Sequence, residues 1–358
     1  MTALPPGSPR QKGRGGIGGV GGNTLRREKR EASSKARLTR RWGIILAGGD
    51  GVRLRGLTRF VCGDDRPKQF CPLLGECTLL EETRQRAERS IYSNQILYSV
   101  TRAHQDYYVR DLADRPSQRI VQPCNRGTAP AILYTLLHIF EIDRDAVVAI
   151  LPCDHYYSPE SAFTAVLESA FTVADARPES VVLLGAQPQA PEVEYGWIEL
   201  GDVVAGSHSG VFHVKCFQEK PPSLVAAHLF RTGSLWNTFV MVGHVRAFLE
   251  LALVSVPELV EVLRSTQLRP AAGEKQIADW LYDQIAPMDF SRQVLTPGVA
   301  RLVSMALGDI EWDDLGNPER VISTLAKRDL QLPAWAHLWQ RKRKAECAAA
   351  EMSASAVA

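Results

Sequence analysis

Several features that would assign this sequence to a familiar class of protein are missing. The 358 residues include only seven cysteines, which are scattered and form no Cys-x-x-Cys pair, so neither a zinc ribbon nor a thioredoxin-like site is expected. No run of about 18 apolar residues is present, and the N-terminus lacks the apolar segment of a signal peptide. The composition therefore predicts a cytoplasmic protein with reduced thiols and no membrane partner.

The common nucleotide-binding motifs are absent as well. A dinucleotide fold needs G-x-G-x-x-G, but Leu54 stands where the glycine that follows Gly49 and Gly51 would be required. A P-loop, G-x-x-x-x-G-K-[ST], does not occur. Asp154 is followed two residues later by Tyr156, so the D-x-D metal motif of many glycosyltransferases is missing too.

Charge is distributed unevenly along the chain. The net charge is +2, yet residues 1–41 carry 11 Lys/Arg against two Asp/Glu, with eight glycines by position 22. Such a segment cannot bury enough apolar area to offset its ordering entropy, so we expect 1–41 to be a disordered basic tail. The rest of the chain is net acidic, which does not favour nucleic acid as a partner. A basic run followed by Ala and Ser predicts a fraying helix or a second tail over 341–358.

Between these ends, over residues 42–340, short apolar runs alternate with amphipathic patterns. Residues 43–46, 147–151 and 181–184 have the composition of buried strands, and 129–142 carries apolar residues on one helical face. This alternation predicts an α/β domain: a Rossmann-like, mostly parallel sheet with helices on both faces. Residues 195–217 indicate an inserted β-hairpin, and no β-helix repeat is present.

The first apolar run ends in a glycine-rich segment. Gly48, Gly49 and Gly51 follow it directly, and ligands bind at the carboxyl ends of strands in open α/β sheets. Glycines allow backbone N–H groups to approach an anion, and Arg53 adds a charge that can fork onto phosphate oxygens. A purely structural turn explains the glycines equally well, so this loop alone does not assign a function.

Four further segments could add to an anion-binding site. Lys68 can return to the same pocket, and residues 127–128 open a helix whose N-terminal amides would face a ligand. Asp154 follows an apolar strand and Asp314 lies far along the chain; carboxylates in such places can hold Mg²⁺ against phosphates. Taken singly, each is more often a solvated lysine, a turn or a cap.

Taken together and in order, these segments resemble the sugar-phosphate nucleotidyltransferase family, most of all its mannose-1-phosphate guanylyltransferases. The resemblance covers about residues 43–322, and the ordered set is far more specific than any single motif. The family pattern is matched by LAGGDGVRL (46–54), PKQF (67–70), NRGTAPAI (125–132), LPCDH (151–155), YGWI (195–198), EKP (219–221), WN (236–237) and WDDLG (312–316).

The resemblance implies transfer of a nucleotidyl group from a nucleoside triphosphate, GTP by the closest likeness, to a sugar 1-phosphate, mannose 1-phosphate by the same likeness. The nucleophile is already an anion, so the task is to align two polyanions and stabilise added charge. Mg²⁺ is the implied cofactor, and no nucleic acid is needed. Another base or hexose, a non-catalytic nucleotide-sugar-binding regulator, and a homo-oligomeric state remain open alternatives.

The resemblance also implies roles for the residues at matching positions. Catalysis would depend on Arg53 and Lys68, and the metal would be held by Asp154 and Asp314. The nucleotide would contact the glycine loop and the start of the 129–142 helix, at Leu46, Ala47, Gly48, Gly49, Gly51, Gln122, Gly127 and Thr128. The sugar phosphate would contact the later motifs, at Tyr195, Gly196, Glu219, Lys220 and Asn237.

Several positions depart from the family pattern, including Gly56 where a Pro is usual and a longer segment over 60–66 before PKQF. Val52 replaces a frequent Thr, Cys153 replaces a Ser, and Phe239 stands where a Gly often follows the WN pair. We expect these departures to bear on the sugar pocket and the exact substrate more than on the phosphate chemistry. Cys153 is interpreted as a small residue at a strand end in preference to a catalytic thiol.

Overall fold

A computed structural model describes residues 38–206, 210–266, 275–276, 279–327 and 332–357. Of the tail expected over 1–41, residues 1–37 lie outside the described residues, whereas Arg41 already belongs to the first strand. The segment 341–358, expected to be a fraying helix or a tail, lies in the last helix as far as Val357. The reason is local, since Ala, Arg, Lys and Glu, which dominate this segment, are strong helix formers.

The described strands form a ten-stranded mixed sheet and a two-stranded ribbon. They are β1 (Arg41–Leu46), β2 (Ile96–Thr101), β3 (Arg119–Gln122), β4 (Val147–Pro152), β5 (Tyr156–Ser158), β6 (Val181–Ala186), β7 (Gly196–Val203), β8 (Val211–Glu219), β9 (Leu235–His244), β10 (Lys275–Gln276), β11 (Leu302–Ala306) and β12 (Glu311–Asp313). The large sheet has the spatial order β10-β3-β2-β1-β4-β9-β6-β11-β8-β7, and β12 pairs with β5 in the ribbon.

Helices cover both faces of the sheet. They are α1 (Arg55–Cys62), α2 (Leu79–Ala87), α3 (Gln105–Asp111), α4 (Thr128–Ile142), α5 (Glu160–Ala176), α6 (Ser223–Arg231), α7 (Val245–Ser255), α8 (Pro257–Thr266), α9 (Asp279–Tyr282), α10 (Pro318–Lys327) and α11 (Ala334–Val357). None of the helices in the described ranges is both long enough and apolar enough to span a bilayer.

The α/β class and the inserted hairpin are confirmed, but the strand directions are mixed. β3, β2, β1 and β4 run parallel, whereas β9 runs antiparallel to both β4 and β6. The hairpin formed by β7 and β8 extends the far end of the sheet. Burial on both faces produces a continuous apolar run in either direction, so the sequence pattern could not distinguish the two.

The sheet separates two main hydrophobic clusters. Alternation along β1 points Ile44 into the cluster that contains α4 and α7, and Ile45 into the cluster that contains α5; both side chains are fully buried. At the strand end, Leu46 pairs with Ser99 of β2 and Pro152 of β4. The segments that follow these strands therefore emerge together at one edge of the sheet, where the candidate site is built.

A third hydrophobic cluster joins the end of the chain to α1. Trp339 of α11 packs edge-on against Phe60 of α1, with 5.3 Å between the ring centroids. The Lys342 ammonium lies over both rings, and Leu57, Val321 and Leu325 belong to the same cluster. Because α1 follows the glycine loop in the chain, this contact helps to fix the position of the loop.

We expect Trp339→Ala to destabilise the fold by about 3 kcal/mol, because the substitution leaves a cavity against Phe60. Denaturant unfolding and amide hydrogen exchange in α1 and α11 measure this effect. Leu338→Ala is the matched control, since Leu338 lies on the same helix and is 54% exposed. Equal stability losses in the two variants would contradict the packing described here.

Candidate active site

The glycine loop is fixed at the end of β1 by a side chain from the PKQF segment. The Gln69 amide Nε2 donates to the carbonyl oxygens of Ala47 and Gly49, at 3.0 and 2.8 Å. The Ala47 amide donates to the Ser99 carbonyl at 2.8 Å. Both backbone polar groups of Ala47 are thus paired within the protein, and its buried side chain does not line the cleft.

Two glycines of this loop are required by close approach. Gly51 has φ +57°, and a Cβ there would lie 3.0 Å from the Lys68 backbone nitrogen. A Cβ on Gly48 would lie 2.8 Å from Thr101 Oγ1. Side chains at these positions would push the loop away from its neighbours, so the glycines serve packing as well as access to a ligand.

Lys68 joins segments that are far apart in the sequence. Its Nζ donates to the backbone carbonyls of Asp314 and Leu315, at 2.5 and 3.1 Å, and lies 3.3 Å from Asp154 Oδ2. The lysine side chain is 11% exposed. A cation this buried needs such partners, so Lys68 holds both predicted metal-binding segments beside the glycine loop.

The Asp314 carboxylate has several stabilising partners despite its burial. Its Oδ1 accepts hydrogen bonds from the Tyr195 hydroxyl at 3.2 Å, the Gly316 amide at 2.9 Å and Arg320 Nη1 at 2.9 Å. Burial alone would raise the pKa of Asp314, but the charges of Lys68 and Arg320 outweigh it and keep the pKa below its ordinary value. Burial raises the pKa of Tyr195, so its hydroxyl remains a donor.

Asp154 lies just before the ribbon of β5 and β12. This pairing places Trp312 opposite Tyr157, and Trp312 Nε1 donates to His155 Nδ1 at 3.2 Å. The proton of the neutral imidazole is then on Nε2, which lies 3.7 Å from Asp154 Oδ1. Burial lowers the pKa of His155, so near neutral pH the ring is an uncharged neighbour of the carboxylate.

These segments enclose one cleft of about 440 Å³. Arg53 lies at its rim with 56% of the side chain exposed, 3.4 Å from Glu194. Of the predicted site residues, all but three line the cleft: Leu46, Gly48, Gly49, Arg53, Gln122, Gly127, Thr128, Asp154, Tyr195, Gly196, Glu219, Lys220, Asn237 and Asp314. Gly51 and Lys68 line an adjoining space of about 270 Å³, which also contacts Arg53 and Asp154.

On the α4 side of the cleft, most polar groups of the predicted nucleotide-binding residues have partners within the protein. Gln122 accepts from the Tyr282 hydroxyl and donates to Ser99 Oγ at 3.0 Å, which fixes the orientation of its amide. Thr128 Oγ1 accepts from the Phe290 amide at 2.8 Å. A Cβ on Gly127 would lie 2.2 Å from the Met288 carbonyl oxygen, because the chain crosses directly over it.

On the hairpin side, β7, β8 and β9 converge. A Cβ on Gly196 would lie 2.7 Å from Glu219 Oε2, so only glycine admits that carboxylate to the cleft. Burial, reinforced by the charge of Asp289, raises the pKa of Glu219. Asn237 Oδ1 accepts from the Phe239 amide at 3.0 Å, and Lys220 adopts a left-handed backbone with φ +50°.

Several residues that line the cleft were not among the predicted site residues. Gln69 and His155 lie inside the quoted motifs, so closer attention to those motifs could have found them. Asp289 and Ser291 also line the cleft, but they come from a segment without any motif. This segment crosses the start of α4, where the Met288 amide donates to the Arg126 carbonyl. Only the tertiary crossing identifies this pair.

The carboxylates of this cleft suit Mg²⁺ only in combination with a substrate. Within the part of the chain that the structure describes, no group of three or more His, Cys, Asp or Glu residues forms a metal cage. Asp154 and Asp314 both face the cleft and offer the hard oxygen donors that Mg²⁺ prefers. Mg²⁺ typically binds one or two carboxylates together with substrate phosphates, and this donor pair fits that mode.

A family model described as nucleotidyl transferase matches residues 42–329. The chain belongs to the nucleotidyl transferase family. The matched region contains the glycine loop, Lys68, both aspartates and the hairpin, so the nucleotidyl transferase domain and the cleft are the same part of the chain.

Named relatives agree with this assignment. The chain is 30% identical over 285 residues to the xanthan biosynthesis protein XanB of Xanthomonas campestris, covering 76% of this chain and 57% of XanB. It is 32% identical over 221 residues to the mannose-1-phosphate guanylyltransferase ManC of Salmonella typhimurium, covering 60% of this chain and 45% of ManC. The chain thus spans about half the length of these curated relatives.

A solved structure shares the fold. The crystal structure described as mannose-1-phosphate geranyltransferase from Thermus thermophilus superimposes with a TM-score of 0.68 at 29% sequence identity, covering 79% of each chain. This similarity supports the α/β architecture of the nucleotidyl transferase domain independently of its motifs.

Gly51→Ala should destabilise the protein more than Gly63→Ala, although both glycines have positive φ. Gly63 has no heavy atom within 4 Å of a built Cβ, so only the left-handed backbone costs free energy there, about 1 kcal/mol. At Gly51 the contact with the Lys68 backbone adds about 1–3 kcal/mol. Urea unfolding of both variants measures the difference; indistinguishable values would argue against the tight loop contact.

Proposed function

We propose that this protein transfers a guanylyl group from GTP to mannose 1-phosphate, releasing pyrophosphate and forming GDP-mannose. The observation that carries the proposal is the convergence on Lys68, whose ammonium group contacts both aspartate segments beside the glycine loop. Arg53 adds a second cation at the rim of the same cleft. Cations and glycine amides are the groups that binding of two polyanions requires, and paired carboxylates can hold a divalent ion that offsets further phosphate charge.

The reaction needs alignment and charge stabilisation more than proton transfer. A phosphate oxygen of the sugar 1-phosphate attacks the α-phosphorus of GTP, and the bond from that phosphorus to the bridging oxygen of pyrophosphate breaks. Backbone N–H groups of Gly48 and Gly49 hold the triphosphate. Arg53 and Lys68 stabilise the negative charge that accumulates around the α-phosphate and the leaving pyrophosphate.

Asp154 and Asp314 would hold Mg²⁺ together with phosphate oxygens. When bound, the ion supplies positive charge that polarises those oxygens and orients them. Lys68 keeps the two carboxylate segments together, and Arg320 and the Tyr195 hydroxyl fix the orientation of Asp314. The protein thus contributes a preorganised pair of acidic ligands.

Two observations support the choice of guanine and mannose. The ordered motifs resemble those of mannose-1-phosphate guanylyltransferases, and the relative ManC is itself described as a mannose-1-phosphate guanylyltransferase. The fixed amide of Gln122, with Gly127 and Thr128, forms the side of the cleft proposed for the base and ribose. Tyr195, Gly196, Glu219, Lys220 and Asn237 form the side proposed for the sugar phosphate. Because the cysteines of the described residues are free thiols, we also propose a cytoplasmic location for the protein.

A pyrophosphate-release assay with a matrix of nucleoside triphosphates and sugar 1-phosphates tests the proposal. We expect the highest rate with GTP, mannose 1-phosphate and Mg²⁺, and no release after chelation with EDTA. A different best pair would retain nucleotidyl transfer but change the substrate. Inactivity across the matrix, with folded protein and Mg²⁺, would reject the enzyme and favour a non-catalytic nucleotide-sugar-binding regulator.

Arg53→Ala and Lys68→Met should each lower the turnover number about 100- to 1,000-fold, because each removes a cation that stabilises developing charge. Arg55→Ala is the matched control: Arg55 is an exposed arginine two residues further along and does not line the cleft. Thermal unfolding must accompany the kinetics. Full activity in a folded Lys68→Met variant would contradict the proposed role of the ammonium group.

A further inference from the structure

A bulge in β9 aims one side chain at the hairpin side of the cleft. Leu183 of β6 pairs with Met241, and Gly185 pairs with Asn237, so three residues of β9 lie opposite Leu184 alone. The buried Thr238 Oγ1 donates to the Leu184 carbonyl at 2.6 Å, and this hydrogen bond stabilises the bulge. Bulges of this kind re-aim side chains beside active sites.

The central residue of the bulge is Phe239, in a conformation that favours glycine. Its φ is +59°, in the left-handed region, where a residue with a Cβ is less stable than glycine by about 1–2 kcal/mol. This chain therefore carries both the strain and a benzyl side chain at position 239. Strain of this kind persists only where the surroundings maintain it, and it points to function when it occurs at a cleft.

Local hydrogen bonds hold Phe239 in place. Its amide donates to Asn237 Oδ1 at 3.0 Å, and the Val240 amide donates to Thr238 Oγ1 at 3.3 Å. The flanking Thr238 and Val240 side chains are fully buried, whereas Phe239 is partly buried. The side chains of the two outer bulge residues, Thr238 and Val240, therefore point into the protein, and the side chain of Phe239 points to the cleft.

The Phe239 side chain forms an apolar wall within a polar part of the cleft. It packs against the hydrophobic core on one side and lines the cavity on the other. Gly196, Glu219 and Asn237 line the same cavity and supply space and hydrogen-bonding groups suited to hydroxyls. With glycine at 239, the volume of a benzyl group would be open to the ligand.

We propose that Phe239 is a specificity-determining residue that restricts the cleft to hexose 1-phosphates carrying only hydroxyl substituents and excludes acetamido sugars. This inference rests on the proposed function, because it assumes that the hairpin side holds the sugar. The benzyl group of Phe239 is at least as large as the acetamido group of a sugar, so both cannot occupy the same part of the cleft. A hydrophobic wall discriminates about 10- to 200-fold even for a single methylene.

The test compares two sugars that differ only in the acetamido group, mannose 1-phosphate and N-acetylmannosamine 1-phosphate. Relative kcat/KM with GTP is measured for the wild type, Phe239→Gly and Phe239→Leu. We expect Phe239→Gly to reduce the preference for mannose 1-phosphate at least about tenfold, without changing the KM for GTP. Phe239→Leu keeps most of the bulk and should keep the preference, as should Phe230→Ala, which changes an aromatic residue of α6 outside the cleft.

Calorimetric titration of both sugar phosphates, with α,β-methylene GTP present, gives a second readout that does not require turnover. A lower ratio of affinities in Phe239→Gly supports the proposal even if no pyrophosphate is released, an outcome that would reject only the proposed reaction. An unchanged ratio in folded Phe239→Gly overturns the role of Phe239. If neither sugar phosphate binds to any variant, both proposals fall.

Discussion

The ammonium group of Lys68 determines how the acidic segments of the cleft are arranged. It contacts two carbonyls and one carboxylate contributed by residues up to 247 positions away, and it does so with little exposure to water. In such surroundings electrostatic attraction is screened less than at the surface, while an unpaired charge is costly. The lysine and its partners are therefore mutually dependent, and the end of β4, the turn after β12 and the glycine loop adopt one joint arrangement.

Backbone geometry around this cluster is as restrictive as its charge. Gly51 lets the glycine loop approach the Lys68 backbone to a distance that a side chain would prevent. Phe239 presents the opposite situation, because a bulky residue occupies a left-handed position that glycine would accept without strain. At position 51 the absence of a side chain lets two segments pack closely. At position 239 a side chain is present although the backbone there is strained.

The reaction proposed for this cleft requires few reactive groups. A phosphate nucleophile needs no general base, and the described residues concentrate cations, oriented carboxylates and glycine amides in one place. Membership of the nucleotidyl transferase family agrees with this set of groups. The hairpin and the β9 bulge are on the other side of the cleft, so the residues proposed for phosphate chemistry are separate from those proposed for sugar choice.

The sequence by itself determined the α/β class, the position of the glycine loop after β1, and the identity of most residues that line the cleft. These features are local, since apolar periodicity, glycine spacing and short motifs do not depend on distant contacts. Only the tertiary structure decided the direction of β9, the pairing of Tyr195 with Asp314, and the arrival of Asp289 and Ser291 over the start of α4. The helix over 334–357 lay between these cases, because its propensity was readable but its anchoring through Trp339 was not. Long-range pairing depends on which surfaces meet after folding, and no local pattern encodes that.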